Sequence, residues 1–278
     1  MFLWAFGKAV EYYTGEKVFF DTSCYDGTNE AVELDKMFNI KLDTISQDEV
    51  REIFKPNKFQ TIDFINKHKK FFKLLLKDNI TREKHYNVYE KSLLTKSGNV
   101  CYEGYFQCEK YFEEIKDKIR KDFQFKQQPP ELVKIRQEIE NIKCPVFIHI
   151  RRGDYVTLDK NNVVHWLCDM SYYQKATSFF KEKYPDCTFI VFSDDTEWVT
   201  ENLKIDYPFK IYSNTPQQND MYLMSACKHG ICANSSYSWW GAWLIDNPEK
   251  TIVAPTPWFE SNKKTDIIPE NWITLPRY

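Results

Sequence analysis

The second half of the chain alternates short, uninterrupted apolar runs with segments of helical periodicity. The apolar runs are PVFIHI, CTFIVFSDD, FKIYS, GICANSS and TIVAP, and the segments between them are MSYYQKATSFFKEKY, TEWVTENL, DMYLMSACKH and SSYSWWGAWLI. Strands that are apolar along their whole length and alternate with helices are typical of βαβ units, in which a parallel sheet is covered on both faces. The pattern predicts a Rossmann-like α/β domain with a parallel sheet flanked by helices.

The first half of the chain is richer in helical segments and less regular. FLWAFGKAVEYYTG places Phe2, Phe6 and Val10 on one helical face and stops at Gly15, and KVFFDTS follows as a short strand. Two prolines precede the amphipathic segment of QQPPELVKIRQEIENIK, which is typical of a domain boundary. We therefore expect two domains, a helix-rich α/β domain over residues 1–140 and the Rossmann-like domain over residues 141–278.

Composition narrows the class of protein. The 278 residues are 42% hydrophobic and 28% charged, with a net charge of −2, which indicates a globular chain without a field that attracts nucleic acid. Aromatic residues reach 17%, as carbohydrate-handling proteins often do, although an aromatic core explains them equally. No run approaches the ~20 apolar residues of a membrane span, and MFLWAFGKAV lacks the basic start of a signal peptide. A cytoplasmic protein is expected.

The cysteines and one basic run each allow a structural prediction. The eight cysteines form no C-x-x-C pair and no zinc-like cluster with histidine, and several lie in apolar runs, so buried free thiols are expected. The run NKHKKFFKLLLK, residues 66–77, favours an amphipathic helix with a solvated lysine face. The alternative is peripheral contact with the anionic inner face of a membrane.

Polar clusters follow three of the predicted strands. They are Arg151, Arg152, Gly153 and Asp154 after the first, Ser193, Asp194 and Asp195 after the second, and Asn234, Ser235, Ser236 and Ser238 after GICA. Ligands of an open parallel sheet bind beyond the carboxyl ends of the strands. Forked guanidinium groups suit phosphate oxygens, and the start of a helix suits an anion. Together the clusters predict a site for a nucleotide pyrophosphate.

Each cluster also has a purely structural explanation. Ser235 or Ser236 could cap the helix that follows, Asp194 could cap the helix that starts near Thr196, and Asp154 could pair with an arginine. The tripeptide RGD is a frequent chance match. The acidic pair of SDD lacks the further carboxylates that a divalent cation needs, so no metal site is expected. The sequence contains neither G-x-x-x-x-G-K-[ST] nor G-x-G-x-x-G, which leaves ATPase and dinucleotide-binding functions without support.

Three longer blocks resemble a known family. HIRRGDYV, VFSDDTEWV and DMYLMSACKHGICANSSYSWWGAWL resemble, in order and spacing, the signature blocks of the α-1,2-fucosyltransferases of glycosyltransferase family 11. GYFQCEKYF is similar to that family's G-Y-W/F-Q-x-x-x-Y-F segment, and TIVAPTPWF with PENWITL is similar to its C-terminal end. The resemblance covers essentially the whole chain.

The resemblance implies a GT-B-like fold of two domains, with GDP-fucose held mainly by the C-terminal half. It implies transfer of L-fucose, with inversion and without a metal ion or other cofactor, to O2 of a galactosyl residue. The acceptor would be an oligosaccharide, glycolipid or polysaccharide, so the chain would act in glycosylation or polysaccharide biosynthesis. The alternatives are a non-catalytic binder of GDP-fucose or a glycan, and a transferase of another sugar or linkage.

The resemblance also suggests roles for single residues. Arg151 would stabilise charge on the β-phosphate, and Asp154, Asp159 or His149 would accept the proton of the acceptor hydroxyl. The donor-binding set would be Arg152, Ser193, Asp194, Asp195, Asn234, Ser235, Ser236 and Ser238. Acceptor-side candidates are Tyr102, Tyr105, Phe106 and Tyr111. For Trp239, Trp240 and Trp243 we expect a place in the core rather than on a sugar.

The start of the sequence departs from the family pattern. Family members begin with a short strand and a GGLGNQMFQ-like loop, whereas MFLWAFG aligns with the end of that segment. The resemblance therefore implies that this strand and loop, which would lie near the donor phosphates, are missing from the sequence.

Overall fold

The computed structural model describes residues 1–22, 34–53, 80–84, 87–152, 167–212, 217–259 and 264–278. These residues form two compact units, the first of residues 1–126 and 265–267, the second of residues 127–264 and 268–278. The division lies before the helix at Pro130–Glu140, whereas the sequence placed it after residue 140. The helix joins the second unit because Nη1 of Arg136 donates to the carbonyl of Tyr222 at 2.7 Å and to the hydroxyl of Ser225 at 3.0 Å.

The first unit combines helices with two short strand pairs. Its described helices are α1 at Phe2–Thr14, α2 at Leu34–Met37, α3 at Gln47–Ile53 and α4 at Lys116–Asp122, with 3-10 turns at Lys91–Leu93, Glu109–Tyr111 and Glu113–Ile115. Its described strands are β1 at Phe20–Asp21, β2 at Thr44–Ile45, β3 at Ile80–Arg82 and β4 at Cys101–Glu103. β1 pairs with β2 and β3 with β4, both in parallel. The predicted helix α1 is confirmed, and Gly15 ends it in the left-handed conformation, φ 72°.

The second unit contains one six-stranded parallel sheet and its helices. The described helices are α5 at Pro130–Glu140, α6 at Met170–Lys183, α7 at Thr196–Asn202, α8 at Gln217–Met224 and α9 at Ser236–Leu244. The strands are β5 at Pro145–Ile150, β6 at Thr188–Ser193, β7 at Phe209–Ile211, β8 at His229–Ile231, β9 at Ile252–Thr256 and β10 at Ile273–Pro276. The order across the sheet is β10-β9-β8-β5-β6-β7, and every neighbouring pair is parallel.

This strand order is that of a Rossmann sheet, because the chain winds outward from β5 to β7 and then returns to β8 and winds the other way. The order reverses between β5 and β8. The predicted α/β fold class with a C-terminal Rossmann-like parallel sheet is thereby confirmed, and the GT-B-like arrangement of two such domains stays a prediction. The sequence did not predict β10, since this edge strand alternates half-buried with exposed residues and lacks a continuous apolar run.

Close packing fixes the centre of the sheet. Gly230 lies against Phe147 of β5 so tightly that a methyl group there would overlap the phenyl ring. From α6, the hydroxyl of Tyr172 donates to the carbonyl of Cys232 at 2.6 Å and lies 3.3 Å from that of Val253, which links the residue after β8 to the second residue of β9. The expected core position of the tryptophans is confirmed: Trp239, Trp240 and Trp243 of α9 are all buried.

The structure also bears on the expected free thiols and on the expected lack of a membrane-spanning segment. The seven cysteines that the structure describes are free thiols, and five of them are buried. Within the described ranges, every helix is too short or too polar to cross a bilayer. The basic segment at residues 66–77 lies outside the described residues.

Candidate active site

The strands that carry the three polar clusters are neighbours in the sheet. β5 lies between β8 and β6, so Arg151, Asp194 and Asn234 follow three adjacent strands at the same carboxyl edge. The strand order reverses between β5 and β8, and a crevice opens at such a point in parallel sheets. The carboxyl edge of these three strands is therefore the candidate site.

Asp194 joins the ends of β5 and β6. Its Oδ2 lies 3.0 Å from Nη1 of Arg151, and its Oδ1 accepts the backbone N–H of Arg152 at 2.8 Å. The side chain of Asp194 is only 6% exposed and that of Arg151 16%, so solvent screens this pair weakly. Oδ2 makes this ion pair without the geometry of a hydrogen bond, so the carboxylate keeps the guanidinium of Arg151 at the edge of the sheet by charge.

Arg152 is held by a different set of contacts. Its Nε lies 3.0 Å from Oδ2 of Asp195, and its guanidinium carbon lies 3.8 Å from the ring centroid of Trp198. Oδ1 of Asp195 accepts the backbone N–H of Trp198 at 3.0 Å and so caps α7. The cap of this helix is Asp195 rather than Asp194, which the sequence had suggested. Trp198 itself was missed, because one aromatic residue in a helical segment carries no signal for an arginine partner.

His149 precedes the arginines on β5 and is buried. Burial, and secondarily the charge of Arg151, lowers its pKa from 6.5 to about 3, so the ring is neutral near pH 7. Within the described part of the chain, its Nδ1 has no hydrogen-bond partner. A ring of such low basicity accepts a proton poorly, so the geometry gives no support to the predicted role of His149 as proton acceptor. The other two candidates, Asp154 and Asp159, and Gly153 beside them, lie outside the described residues.

The N-terminus of α9 supplies the third part of the site. Ser235 is the N-cap residue, with extended backbone at φ −129° and ψ 131°, and within the described chain its hydroxyl makes no capping hydrogen bond. Ser236, the first helical residue, is exposed. The first N–H groups of a helix have no partner inside the helix, and they carry partial positive charge. This helix start can therefore bind an anion.

Two other residues of the third cluster brace the loop before α9. Ser238 is completely buried, and its hydroxyl oxygen accepts the N–H of Ala233 at 3.1 Å. Asn234 is also buried, donates from Nδ2 to the carbonyl of Trp258 at 3.3 Å, and has its Oδ1 3.6 Å from Sγ of Cys168. The sequence placed both among the donor contacts. Their geometry instead favours an indirect role, because Ser238 has no surface through which a ligand could touch it.

The four acceptor-side candidates lie in the first unit and differ in how far their side chains are exposed to solvent. Phe106 and Tyr111 are each 1% exposed, and the Phe106 ring stacks on Phe6 with centroids 3.9 Å apart. The Tyr102 hydroxyl donates to the carbonyl of Leu93 at 2.9 Å. Tyr105 differs, with 61% of its surface exposed. Of these four residues, Tyr105 alone presents its ring to solvent, and Phe106 and Tyr111 have packing roles instead.

A buried carboxylate shapes the segment that carries Tyr105. Oε2 of Glu83 accepts the N–H groups of Tyr105 at 2.9 Å and Phe106 at 3.2 Å, and its Oε1 accepts that of Asn87 at 2.6 Å. Phe106 and Asn87 have φ angles of 50° and 62°, which side-chain-bearing residues rarely adopt. Glu83 therefore stabilises two unusual turns, and it fixes the backbone on which Tyr105 is exposed.

Across the described residues, no group of three or more His, Cys, Asp or Glu side chains could hold a metal ion. The polar side chains at the carboxyl edge instead form two arginine–aspartate pairs beside a helix N-terminus. Such an arrangement suits a ligand that brings its own negative charge.

Comparison with known proteins decides the family. The family model described as Glycosyl transferase family 11 matches residues 35–276. The chain belongs to glycosyl transferase family 11. This family 11 chain is therefore a glycosyltransferase, and the resemblance noted in its three sequence blocks is confirmed.

Curated relatives agree with that assignment. The family 11 chain is 38% identical over 189 residues to the alpha-1,2-colitosyltransferase of Escherichia coli, a match that covers 65% of this chain and 64% of that protein. It is 31% identical over 272 residues to the O-antigen biosynthesis glycosyltransferase WbnK of Escherichia coli, covering 94% and 89%. It is 29% identical over 103 residues to galactoside alpha-(1,2)-fucosyltransferase 1 of Rattus norvegicus, covering 36% and 27%.

A solved structure is also similar to this family 11 chain. The crystal structure of NodZ alpha-1,6-fucosyltransferase co-crystallised with GDP covers 88% of this chain and 87% of its own, with a TM-score of 0.47 and 14% identity. Because this structural similarity is low, the assignment of the chain to family 11 rests on the sequence matches alone.

Proposed function

We propose that this family 11 chain transfers L-fucose from GDP-fucose to O2 of a galactosyl residue in a glycan acceptor, with inversion and without a metal ion. One observation carries the proposal: Arg151 pairs with Asp194 at the strand-order reversal, where α9 also begins, without a side-chain cap among the described residues. The name of the rat relative, a galactoside alpha-(1,2)-fucosyltransferase, supports the donor sugar and the linkage.

The proposed mechanism is a direct displacement at the anomeric carbon of fucose. The acceptor hydroxyl attacks one face, and GDP leaves from the other, so the anomeric configuration inverts. Negative charge grows on the β-phosphate as the bond to fucose breaks. Arg151 and the first N–H groups of α9 would stabilise this charge, because donors that are fixed before the reaction need no reorganisation during it. Asp194 would hold Arg151 in that orientation, and Asp195 and Trp198 would hold Arg152.

The proton of the acceptor hydroxyl needs a base or a loose transition state. The neutral His149 is poorly suited to that task, since its pKa is lowered to about 3. We therefore assign the base to Asp154, the carboxylate nearest the arginines in the sequence. An Asp154→Asn variant that keeps substantial turnover would remove this assignment and leave Asp159 as the next carboxylate to test.

The acceptor is proposed to be a galactose-containing polysaccharide or its lipid-linked precursor, processed in the cytoplasm or at the inner membrane face. Support comes from the relative named for O-antigen biosynthesis, which matches 94% of this chain. Tyr105, exposed on the backbone that Glu83 fixes, is our candidate for a sugar-stacking residue on the acceptor side.

A second donor sugar is the competing candidate. The match to an alpha-1,2-colitosyltransferase has 38% identity, higher than the 29% to the rat fucosyltransferase. Colitose lacks the O3 hydroxyl of fucose and is otherwise alike, so both donors would present the same diphosphate to the carboxyl edge. The transfer chemistry is the same for either sugar.

A transfer assay tests the proposal. Purified protein is incubated in EDTA with GDP-fucose or GDP-colitose and a galactosyl oligosaccharide, and the product linkage is determined by NMR. An α-1,2-fucosylated product from the β-linked donor supports the proposal, whereas transfer of colitose alone supports the second candidate. Calorimetric GDP binding without transfer of either sugar would identify a non-catalytic binder. Absence of both binding and transfer would overturn the donor-site assignment.

A further inference from the structure

Arg277 follows β10 at the carboxyl edge of the sheet and is buried, with 2% of its surface exposed. Its backbone is fixed on both sides: its N–H donates to the carbonyl of Thr256 at 2.9 Å, and its carbonyl accepts the N–H of Asp169 at 3.1 Å. Yet Nε and Nη1 of its guanidinium are buried without a hydrogen-bond partner among the described residues. The guanidinium carbon lies 5.4 Å from the ring centroid of Tyr278, and among the described residues no carboxylate pairs with this charge.

A buried cation without a partner is costly, because the protein interior does not replace the water that the ion loses. The other two arginines at this edge differ from Arg277. Arg151 lies 3.0 Å from a carboxylate oxygen of Asp194, and Arg152 lies 3.0 Å from one of Asp195. Among these three arginines, and within the described ranges, Arg277 is thus the one without a carboxylate partner, and an anion from outside the protein would neutralise it.

Arg277 lies on the same edge of the sheet as the N-terminus of α9. β10 is two strands from β8, which corresponds to about 10 Å at the usual strand spacing. Cys168 lies between Arg277 and the start of α9. Its thiol interacts electrostatically with Arg277, and its Sγ lies 3.6 Å from Oδ1 of Asn234. Asn234 directly precedes Ser235, the N-cap of α9. Through Cys168, the guanidinium is therefore close to the loop from which α9 begins.

Two independent features thus favour an anion at the same place. The first N–H groups of α9 have no partner inside the helix and carry partial positive charge, and Arg277 adds a full charge nearby. Because the charge is buried, its field acts through a medium of low dielectric and is screened less than that of a surface arginine. Direct contact is not required for the field to act on a bound anion.

We propose that Arg277 and the N-terminus of α9 together form the anion site that positions a diphosphate group at the carboxyl edge. Arg277 is a positioning residue that acts through the loop of Asn234 by its charge. This inference rests on the proposed function, since the diphosphate is that of the nucleotide-sugar donor, and it adds to that function a residue outside the three sequence clusters.

A purely structural role for Arg277 predicts different behaviour, which makes the inference testable. If the charge serves a ligand, its removal should leave the free protein as stable as before or more stable, and should weaken binding in proportion to ligand charge. If the side chain serves packing, its removal should lower the melting temperature and weaken all ligands alike.

The test uses the Arg277→Met and Arg277→Lys variants of the full chain, with GDP, guanosine and inorganic pyrophosphate as ligands. Calorimetry gives the affinities, and thermal unfolding gives the stability without ligand. We expect Arg277→Met to bind GDP and pyrophosphate at least tenfold more weakly, with guanosine affinity unchanged and the ligand-free melting temperature unchanged or raised. Arg277→Lys keeps the charge and should lose less than threefold. Arg82→Met, at an exposed arginine in the first unit, is the matched control and should bind every ligand as the wild type does.

Several outcomes would overturn the inference. One is that Arg277→Met binds GDP and pyrophosphate with wild-type affinity. A second is that it loses the same factor of affinity for GDP and for guanosine. A third is that Arg277→Met fails to fold, since the free protein should not need the charge. Failure of the proposed function looks different. A wild type that binds pyrophosphate but not GDP, with the loss in Arg277→Met retained, would remove the nucleotide donor and leave the anion site intact. A wild type that binds neither would remove both.

Discussion

Nη1 of Arg151 lies 3.0 Å from Oδ2 of Asp194, and this ion pair joins the ends of the neighbouring strands β5 and β6. Asp194 also accepts the N–H of Arg152, so one carboxylate sets both the backbone and the guanidinium at the edge of the sheet. The pair orients Arg151 before any ligand arrives. Preorganisation of this kind is what a transition state with growing phosphate charge requires.

Replacing the forked guanidinium of Arg151 should therefore impair transfer. We expect Arg151→Lys to lower kcat about 100-fold, because a point charge cannot bind a carboxylate and a phosphate with fixed geometry at once. The rate of fucose transfer from GDP-fucose gives the measurement. Arg82→Lys, at a surface ion pair in the first unit, should remain within twofold of the wild type. Near-normal turnover by Arg151→Lys would remove Arg151 from the site.

The contact between Gly230 and Phe147 should not tolerate a larger residue. A methyl group at Gly230 would overlap the phenyl ring, so we expect Gly230→Ala to cost about 3 kcal/mol of unfolding free energy. Urea unfolding gives the value. Combination with Phe147→Leu should recover part of the loss, because the smaller side chain vacates the space. Strictly additive losses in the double variant would show that another contact causes the destabilisation.

Lys250 should stabilise the C-terminus of α9. Its Nζ donates to the carbonyls of Ala242, Trp243 and Ile245 at 2.9, 2.7 and 3.0 Å, and so adds hydrogen bonds at the C-terminal end of this helix. We expect Lys250→Met to lower the unfolding free energy by about 1–3 kcal/mol. The exposed Lys175 on α6 provides a matched substitution, Lys175→Met, that should change stability by less than about 0.5 kcal/mol. Equal effects of the two substitutions would contradict the capping role.

Two buried histidines should make the protein less stable in mild acid. Burial lowers the pKa of His149 to about 3 and that of His229 to about 4, both below the 6.5 of an exposed histidine. The unfolded chain therefore binds more protons between these values, and stability is lost as the pH falls below 6.5. We expect the wild type to lose about 1–2 kcal/mol more than His149→Leu between pH 7 and pH 5. Parallel losses in both proteins would show that His149 does not titrate in this window.

Much of the second unit could be predicted from the sequence, because its signals are local. PVFIHI and TFIVFS are continuous apolar runs, and they form β5 and β6 as expected. The polar clusters follow these runs directly, so their shared edge follows from the rule that parallel strands end on one side. By contrast β10 was missed, since half of its residues face solvent and no apolar run marks it.

Side-chain roles were harder to predict than positions. Ser238 stands one turn into a helix beside plausible ligand contacts, and only the folded loop shows that its hydroxyl faces Ala233. Phe106 and Tyr111 lie in an aromatic stretch that suits sugar binding and core equally well, and the stacking on Phe6 decides for the core. Arg277 lies beyond every motif, and whether its Nε and Nη1 find hydrogen-bond partners among the described residues depends on side chains far from it in sequence.

Residues 265–267 belong to the first unit although the sequence on both sides of them belongs to the second. The N–H of Asp266 donates to the carbonyl of Asn87 at 2.7 Å, and Oδ2 of Asp266 accepts the N–H of Tyr89 at 2.9 Å, which anchors this short return. The polypeptide consequently passes from one unit to the other more than once. A single protease cut between residues 126 and 127 would leave two fragments. The larger fragment would still contain residues 265–267, which bind the smaller fragment, so the two fragments should copurify.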